Sequence, residues 1–458
     1  MPIISSIKLY FYFLILAVIT IFLIEHSYQQ TVTALIPKPG TLHLLNDTSV
    51  ILPDPSFKIE VFAKGLKTPT NMAFLDSGDA LVLEKQNGKV RKIVNGGLVP
   101  KPLLDVNVAN FDTRGMLGIA VIKNETRGVE YVFLYFTQAG EGLGDGEDIC
   151  KKVSNCIDGG INQPSGNVLY RYELSKDEKA LINKKLLLNF SALPGATHNG
   201  GEIVVGPDNN IYLITGNAEN RTTLVSNSKK NPNLDGKAGI LALDHDGRPA
   251  FTNGILGSNE PLNKYYAYGI RNGFGLDFDP ITGKLWDTEN GPEYGDEINL
   301  VEPGFNSGVR KIMGFWTKSS SGQLVIIKGV DNYDGATLVN FNGKGKYSSP
   351  ELAWNQTIAP TAIKFLNSNK YGKEYQNDVL VGSNIGYVFH FNLKPNRTEL
   401  DLKGPLKDRI ANNRTDELTD NTFGKGFGSI SDITVGPDGY LYIVSLTRGE
   451  NYRIIPSN

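Results

Sequence analysis

The chain has little cysteine, almost no net charge and no convincing amphipathic helix after Pro53, and each shortage excludes something. Lys and Arg number 46 against 48 Asp and Glu, a formal net charge of -2, so no basic field is available to meet a nucleic-acid backbone. Cys150 and Cys156 are the only cysteines, inside the polar stretch DGEDICKKVSNCIDGG with no histidine close by. A metal site there would lack its remaining ligands. Two readings stay open for the pair: a local disulfide, which an oxidising compartment would favour, or two free thiols. What the chain does have is turn formers, with 50 Gly and 23 Pro, as a protein of many hairpins requires.

Residues 9–24 (LYFYFLILAVITIFLI) are unbroken apolar except for Thr20, with Lys8 before them and Glu25 and His26 after. Together with Ile3, Ile4 and Ile7 the run approaches the roughly 20 residues that span a bilayer. It exceeds the roughly 7–15 residue core of a signal peptide. The position of Lys8 orients the N-terminus to the cytoplasm and the rest outside. We therefore expect residues 1–26 to form a single transmembrane anchor, with cleavage after Val32-Thr33-Ala34 and secretion as the alternative. Either route exports the chain. Residues 27–52 are polar and proline-dotted and are expected to form a stalk.

From Pro53 a single theme returns: an apolar strand, a turn containing Asp with Gly or Pro, then an alternating strand. It runs over 71–83, 203–213, 276–286 and 434–444, with weaker echoes at 241–247 and 379–393. A blade of this kind cannot bury both faces alone, and such recurrence predicts a β-propeller over residues 53–458 as one cooperative domain. A two-sheet sandwich is the structural alternative. In a propeller the loops converge at the central channel, the default place for a ligand.

The densest chemistry lies in YAYGIRNGFGLDFDPITGKLWDTENGPEYGDEINLVEPGFNSG, residues 266–308. Arg271 and Asn272 sit in a glycine-flanked turn. Glu289-Asn290-Gly291-Pro292 leads into Glu293, Asp296 and Glu297. A guanidinium, free backbone carbonyls and clustered carboxylates suit an anionic ligand together with a hard cation. Asp296 and Glu297 have two open readings, a second calcium site or hydrogen bonding of their own loop. Elsewhere His198 precedes a Gly-Gly turn (Thr197-His198-Asn199-Gly200-Gly201-Glu202); a histidine in such a setting is more often structural or solvated than catalytic.

These motifs resemble the soluble quinoprotein glucose dehydrogenase family, also called the glucose/sorbosone dehydrogenase domain. Its Y-x-x-G-x-R-N-x-x-G, t-E-x-G-P and D-E-x-N are matched at 266–275, 288–292 and 296–299, and its W-x-x-x-I-A-P at 354–360. The resemblance implies an all-β, six-bladed β-propeller built around pyrroloquinoline quinone (PQQ) and Ca2+. It implies a small-molecule sugar or alcohol substrate, oxidised by hydride transfer to the quinone; the sequence names no electron acceptor. By the same resemblance His198 is the general base, Arg271 and Asn272 contact the cofactor, and the carbonyls of Gly291 and Pro292 hold calcium.

The chain also departs from the family. Thr113, with Arg114 beside it, takes the place of a glutamine before G-L-L-G and makes both residues cofactor-side candidates. Family cations fall on Ile385, Ser429 and Ser431, a family arginine falls on Glu202, and a G-W pair on Gly308-Val309. Several charge-assisted contacts to PQQ carboxylates are thereby lost, at about 1.5–3 kcal/mol each. A non-catalytic, calcium-stabilised extracellular propeller that binds a glycan or protein is the alternative function. Calcium-assisted hydrolysis beside His198 ranks after both.

Overall fold

The computed structural model describes residues 50–147, 164–230, 234–318, 321–326 and 338–457. The expected anchor at residues 1–26, most of the stalk, and the Cys150–Cys156 pair lie outside the described residues. Among the described residues no helix is long and apolar enough to cross a membrane.

Among the described residues seven sheets form, and six of them are the blades of a propeller. Their innermost strands are Pro69–Phe74, Met116–Asn124, Gly200–Val205, Gly273–Phe278, Pro360–Phe365 and Ile430–Val435, which we number blades one to six. Each innermost strand neighbours the next, and the sixth returns to the first. Blade six takes its outermost strand, Phe57–Lys64, from the start of the domain, paired antiparallel with Glu450–Pro456. The ring is thus closed by backbone hydrogen bonds that join distant parts of the chain. The seventh sheet is a three-stranded excursion, Ile312–Met313, Trp316–Lys318 and Leu324–Ile326, inserted in sequence between blade four's strands Asp296–Val301 and Leu352–Trp354.

The physics of the ring is the period-two alternation of a strand. In blade one, Leu81 and Leu83 pack toward blade two while Ala80 and Val82 pack toward blade six. In blade three, Ile211 and Leu213 face blade two, whereas Tyr212 and Ile214 face blade four. Both faces of every blade are therefore apolar, and burying them takes two neighbours. Trp286 and Trp354 are fully buried between blades four and five.

Two of the recurrent turns share one construction. In 206–212, Asp208 accepts hydrogen bonds from the Asn210 amide (3.1 Å) and the Tyr212 hydroxyl (2.9 Å). In 436–442, Asp438 does the same for Tyr440 (3.0 Å) and Tyr442 (2.8 Å). The sequence theme is a physical unit: the aspartate locks the turn, and the tyrosine one strand later anchors it.

Candidate active site at the blade-three and blade-four loops

His198 lies on the loop entering blade three and is 8% exposed. Its backbone is left-handed (φ 62°), a strained conformation for a residue with a side chain, held only where the surroundings dictate it. They do. The His198 carbonyl accepts from the Ala218 amide at 2.9 Å. Gly216 passes so close that a Cβ there would stand 2.1 Å from the His198 oxygen. Asn272 Oδ1 accepts from the Gly200 amide at 3.2 Å.

The imidazole is oriented by one partner. Nδ1 lies 3.0 Å from Asn217 Oδ1. That oxygen also accepts from the Glu219 amide at 2.9 Å, which fixes the way the Asn217 amide faces. Nδ1 must then carry the hydrogen, leaving Nε2 with its lone pair open to accept a proton. Burial, the Arg271 guanidinium and the Arg221 charge push the imidazole pKa down to about 3, so it is neutral at ordinary pH.

Arg271 is the pivot between this loop and blade four. Its Nη1 donates to the carbonyls of Asn290 and Gly291, both at 2.9 Å, and its carbonyl accepts from the Asn217 amide at 2.9 Å. Two carbonyls converging on one cationic nitrogen make a cradle for positive charge. The converging pair is Asn290 with Gly291, while Pro292 lines the neighbouring cavity wall. Burial and the Arg221 charge lower the Arg271 pKa to about 10.

The carboxylates behind this cradle are occupied by the protein itself. Asp296 accepts from the amides of Gly291 (2.8 Å), Ile358 (2.7 Å) and Ala359 (2.7 Å), fastening the Gly291 turn to the strand entering blade five. Glu297 accepts from the Gly314 amide, from Asn299 Nδ2 (3.1 Å) and from the Ser307 hydroxyl (3.3 Å). Asn299 Nδ2 also reaches Asp287 (3.0 Å) and Glu289 (3.4 Å). Burial raises the pKa of all four carboxyls, Asp296 to about 6 and Glu297 to about 7. Among the described residues no group of three or more His, Cys, Asp or Glu is arranged to hold a metal ion.

Thr113 and Arg114 lie behind the histidine loop. The Thr113 hydroxyl donates to the Ala196 carbonyl at 3.3 Å and accepts from Asn199 Nδ2 at 3.0 Å. Arg114 Nη2 donates to the carbonyls of Ala192 (2.9 Å) and Gly195 (3.3 Å). In this arrangement both fasten the 192–199 loop that carries His198. On the blade-five and blade-six side the three positions that carry cations in the family hold neutral side chains. Ser429 bonds Asn384, Ser431 donates to the Pro69 carbonyl at 2.8 Å, and Ile385 packs at the edge of the core between blades four and five. Glu202, in the family's arginine position, lines the axial channel and accepts from Asn71 at 2.7 Å.

The positive charge is elsewhere. A cavity of about 590 Å³ beside Asn217 and Pro292 is lined by Arg221, Arg271, Arg310, Lys311 and Lys318 and, among the described residues, by no Asp or Glu, with Tyr294 and Trp316 among its walls. A cavity with this donor set fits a ligand bearing several carboxylates, and the carbonyl cradle fits a hard cation. Sequence reading did not single out Arg221, Arg310, Lys311 or Lys318, because they lie outside the recognisable motifs. Asn217, the last residue of Thr215-Gly216-Asn217, was not singled out either.

A profile described as "Glucose / Sorbosone dehydrogenase" matches residues 66–454. The chain is 23% identical over 409 residues to an aldose sugar dehydrogenase of Escherichia coli (strain K12), covering 87% of this chain and 93% of that one. It is 32% identical over 179 residues, 35% of each chain, to quinoprotein glucose dehydrogenase B of Acinetobacter calcoaceticus. Among solved structures, the PQQ-bound aldose sugar dehydrogenase of Streptomyces coelicolor superposes with a TM-score of 0.58 at 21% identity, over 88% of this chain and 99% of that one. At that identity the likeness speaks for the propeller fold. The profile, spanning nearly all of the described domain, settles the affiliation: this chain belongs to the glucose/sorbosone dehydrogenase family.

Proposed function

We propose that the protein is a PQQ- and calcium-dependent dehydrogenase that oxidises a sugar or other alcohol, with His198 as the general base. The observation that carries the reading is the His198 tautomer. Asn217 holds Nδ1–H, so Nε2 is the proton acceptor, beside a cavity lined by cations. When bound, the quinone supplies a two-electron acceptor for hydride from the carbon bearing the hydroxyl. His198 Nε2 takes the hydroxyl proton, which makes that carbon a better hydride donor. Arg271 neutralises ligand carboxylate charge from the blade-three side, and the Asn290, Gly291 and Pro292 turn offers carbonyls to calcium. A pKa near 3 makes the free imidazole a weak base. An anionic ligand that neutralises Arg271 and Arg221 raises it, so the base strengthens as the site fills. The activities of the relatives, aldose sugar dehydrogenase and quinoprotein glucose dehydrogenase, support the substrate class. The apolar run at 9–24 supports tethering to a membrane with the propeller on the extracytoplasmic side, or secretion after cleavage.

The second reading, a calcium-stabilised recognition propeller, is favoured by the neutral Ile385, Ser429 and Ser431 side and by the Arg271 guanidinium lying in the carbonyl cradle. Titration of the full-length chain with PQQ and calcium, followed by absorbance and by reduction with a panel of sugars and alcohols, decides between them. Binding lost in Arg271→Ala together with reduction lost in His198→Ala is the expected result. No binding at micromolar PQQ, with calcium still raising the melting temperature, would leave only the recognition reading.

A further inference from the structure

We propose that the carbohydrate taken by this site is acidic, a sugar bearing a carboxylate or sulfate ester, held by Arg221, Arg310, Lys311 and Lys318 against Tyr294 and Trp316. The inference deepens the dehydrogenase reading and rests on it for the word "sugar"; the charge of the ligand follows from the wall itself.

Three observations carry it. First, among the described residues the cavity lining is one-signed, with basic side chains and no carboxylate. Among the described residues, none of Arg221, Arg310 and Lys318 forms an ion pair with a carboxylate. Such a lining is stabilised by an anion and repels cations, so it selects for ligand charge. Second, the wall is assembled rather than accidental. Arg310 Nη1 donates to the Arg221 carbonyl at 2.9 Å, tying the loop after blade three's second strand to the segment before the three-stranded sheet. The two guanidinium residues are thereby held on one rim although 89 positions separate them in sequence. Third, the same cavity has aromatic walls. The half-buried Tyr294 meets Trp316, itself only 4% exposed, edge-on at 6.1 Å between centroids, so the Tyr294 ring, backed by Trp316, presents a rigid apolar surface of the kind on which a sugar ring's C–H face packs.

Arg271 is directed to the carbonyls of Asn290 and Gly291 and belongs to the cofactor and metal side. Arg221, Arg310 and Lys318 are exposed, on the side from which a substrate arrives. Lys311 stands in the same crowd: burial and the charges of Lys229 and Arg310 depress its pKa.

The test uses the full-length chain with calcium, and PQQ binding is measured separately by absorbance. Trp286 and Trp354 are fully buried, so tryptophan fluorescence reports chiefly on Trp316 when glucose, glucuronate or inorganic sulfate is added. Glucuronate is expected to bind about tenfold tighter than glucose, and to lose most of that advantage at about 0.5 M salt. Arg310→Ala should reduce the advantage and Arg310→Lys should keep part of it; the salt series needs no variant to fold. Equal affinity for glucose and glucuronate, or a preference insensitive to salt, overturns the proposal. Sulfate matching glucuronate overturns it too, since the wall would then bind simple anions. Glucuronate binding without PQQ binding leaves this inference standing and removes the dehydrogenase reading. PQQ reduced equally well by both sugars does the reverse.

Discussion

The loops of blades three and four and those of blades five and six surround one channel but carry opposite chemistry. The first pair supplies His198, Asn217, Arg221 and Arg271, with Arg310, Lys311 and Lys318 from the excursion that follows. The second supplies Ile385, Ser429 and Ser431, whose hydroxyls are turned to Asn384 and to the backbone. The blade cores on both sides are equally apolar and equally buried. The packing that makes a propeller therefore places few demands on what its loops say, and function is written into only part of the rim.

The comparison breaks most readily at the histidine. His198→Ala is expected to slow quinone reduction about 10²- to 10⁴-fold while leaving PQQ binding in place. Stopped-flow absorbance at saturating sugar checks this, and an unchanged rate would transfer the base role to another residue. Next comes the joint between the two sides. Asp296→Ala removes the acceptor of three backbone amides that link the Gly291 turn to Ile358 and Ala359. A loss of about 3 kcal/mol or more is expected in urea denaturation, with a smaller loss for Asp296→Asn.

A pH series sharpens the blade-three side. The folded pKa of His198, about 3, lies below the unfolded value of 6.5. The unfolded chain therefore takes up the proton first, and the stability this residue contributes is present above about pH 6.5 and drains away as pH falls toward 3. Between pH 7 and pH 5 the contribution amounts to about 2 kcal/mol. His198→Gln should flatten the acid side of the stability profile by that amount, read from denaturation midpoints at the two pH values. The smallest effect tests the neutral side. Ser429→Arg adds a cation where the family pattern has one and should tighten PQQ binding about tenfold, the equivalent of one charge-assisted hydrogen bond of about 1.5 kcal/mol. No gain would mean that the ligand's carboxylates are already met by blades three and four.

Much of the fold was legible because its signals are local. The Asp208 and Asp438 turns bond residues two and four positions away, so the repeat is visible in any window that contains one hairpin. The contact of Arg271 with the Asn290 and Gly291 carbonyls is similarly local, since its two ends flank paired adjacent strands of a single blade, whereas the bonds of Asp296 to Ile358 and Ala359 reach the approach to blade five. Arg114 was a different case. Its sequence position beside Thr113 suggested a charge for the cofactor, whereas its guanidinium reaches the carbonyls of Ala192 and Gly195 in the next blade's approach loop. Nothing nearby in sequence encodes that contact.

By itself the sequence determined the alternation that makes both faces of each blade apolar, the aspartate-locked turns, and the presence of His198, Arg271 and the Gly291–Pro292 turn. Those depend on residue type and on neighbours within one hairpin. Only the tertiary structure decided that Asn217 fixes the imidazole, that Asn290 pairs with Gly291 as the converging carbonyls, and that Arg221 and Arg310 share a rim. Each of these joins loops whose relative position is set by the closure of the ring, a long-range consequence of packing every blade against two others.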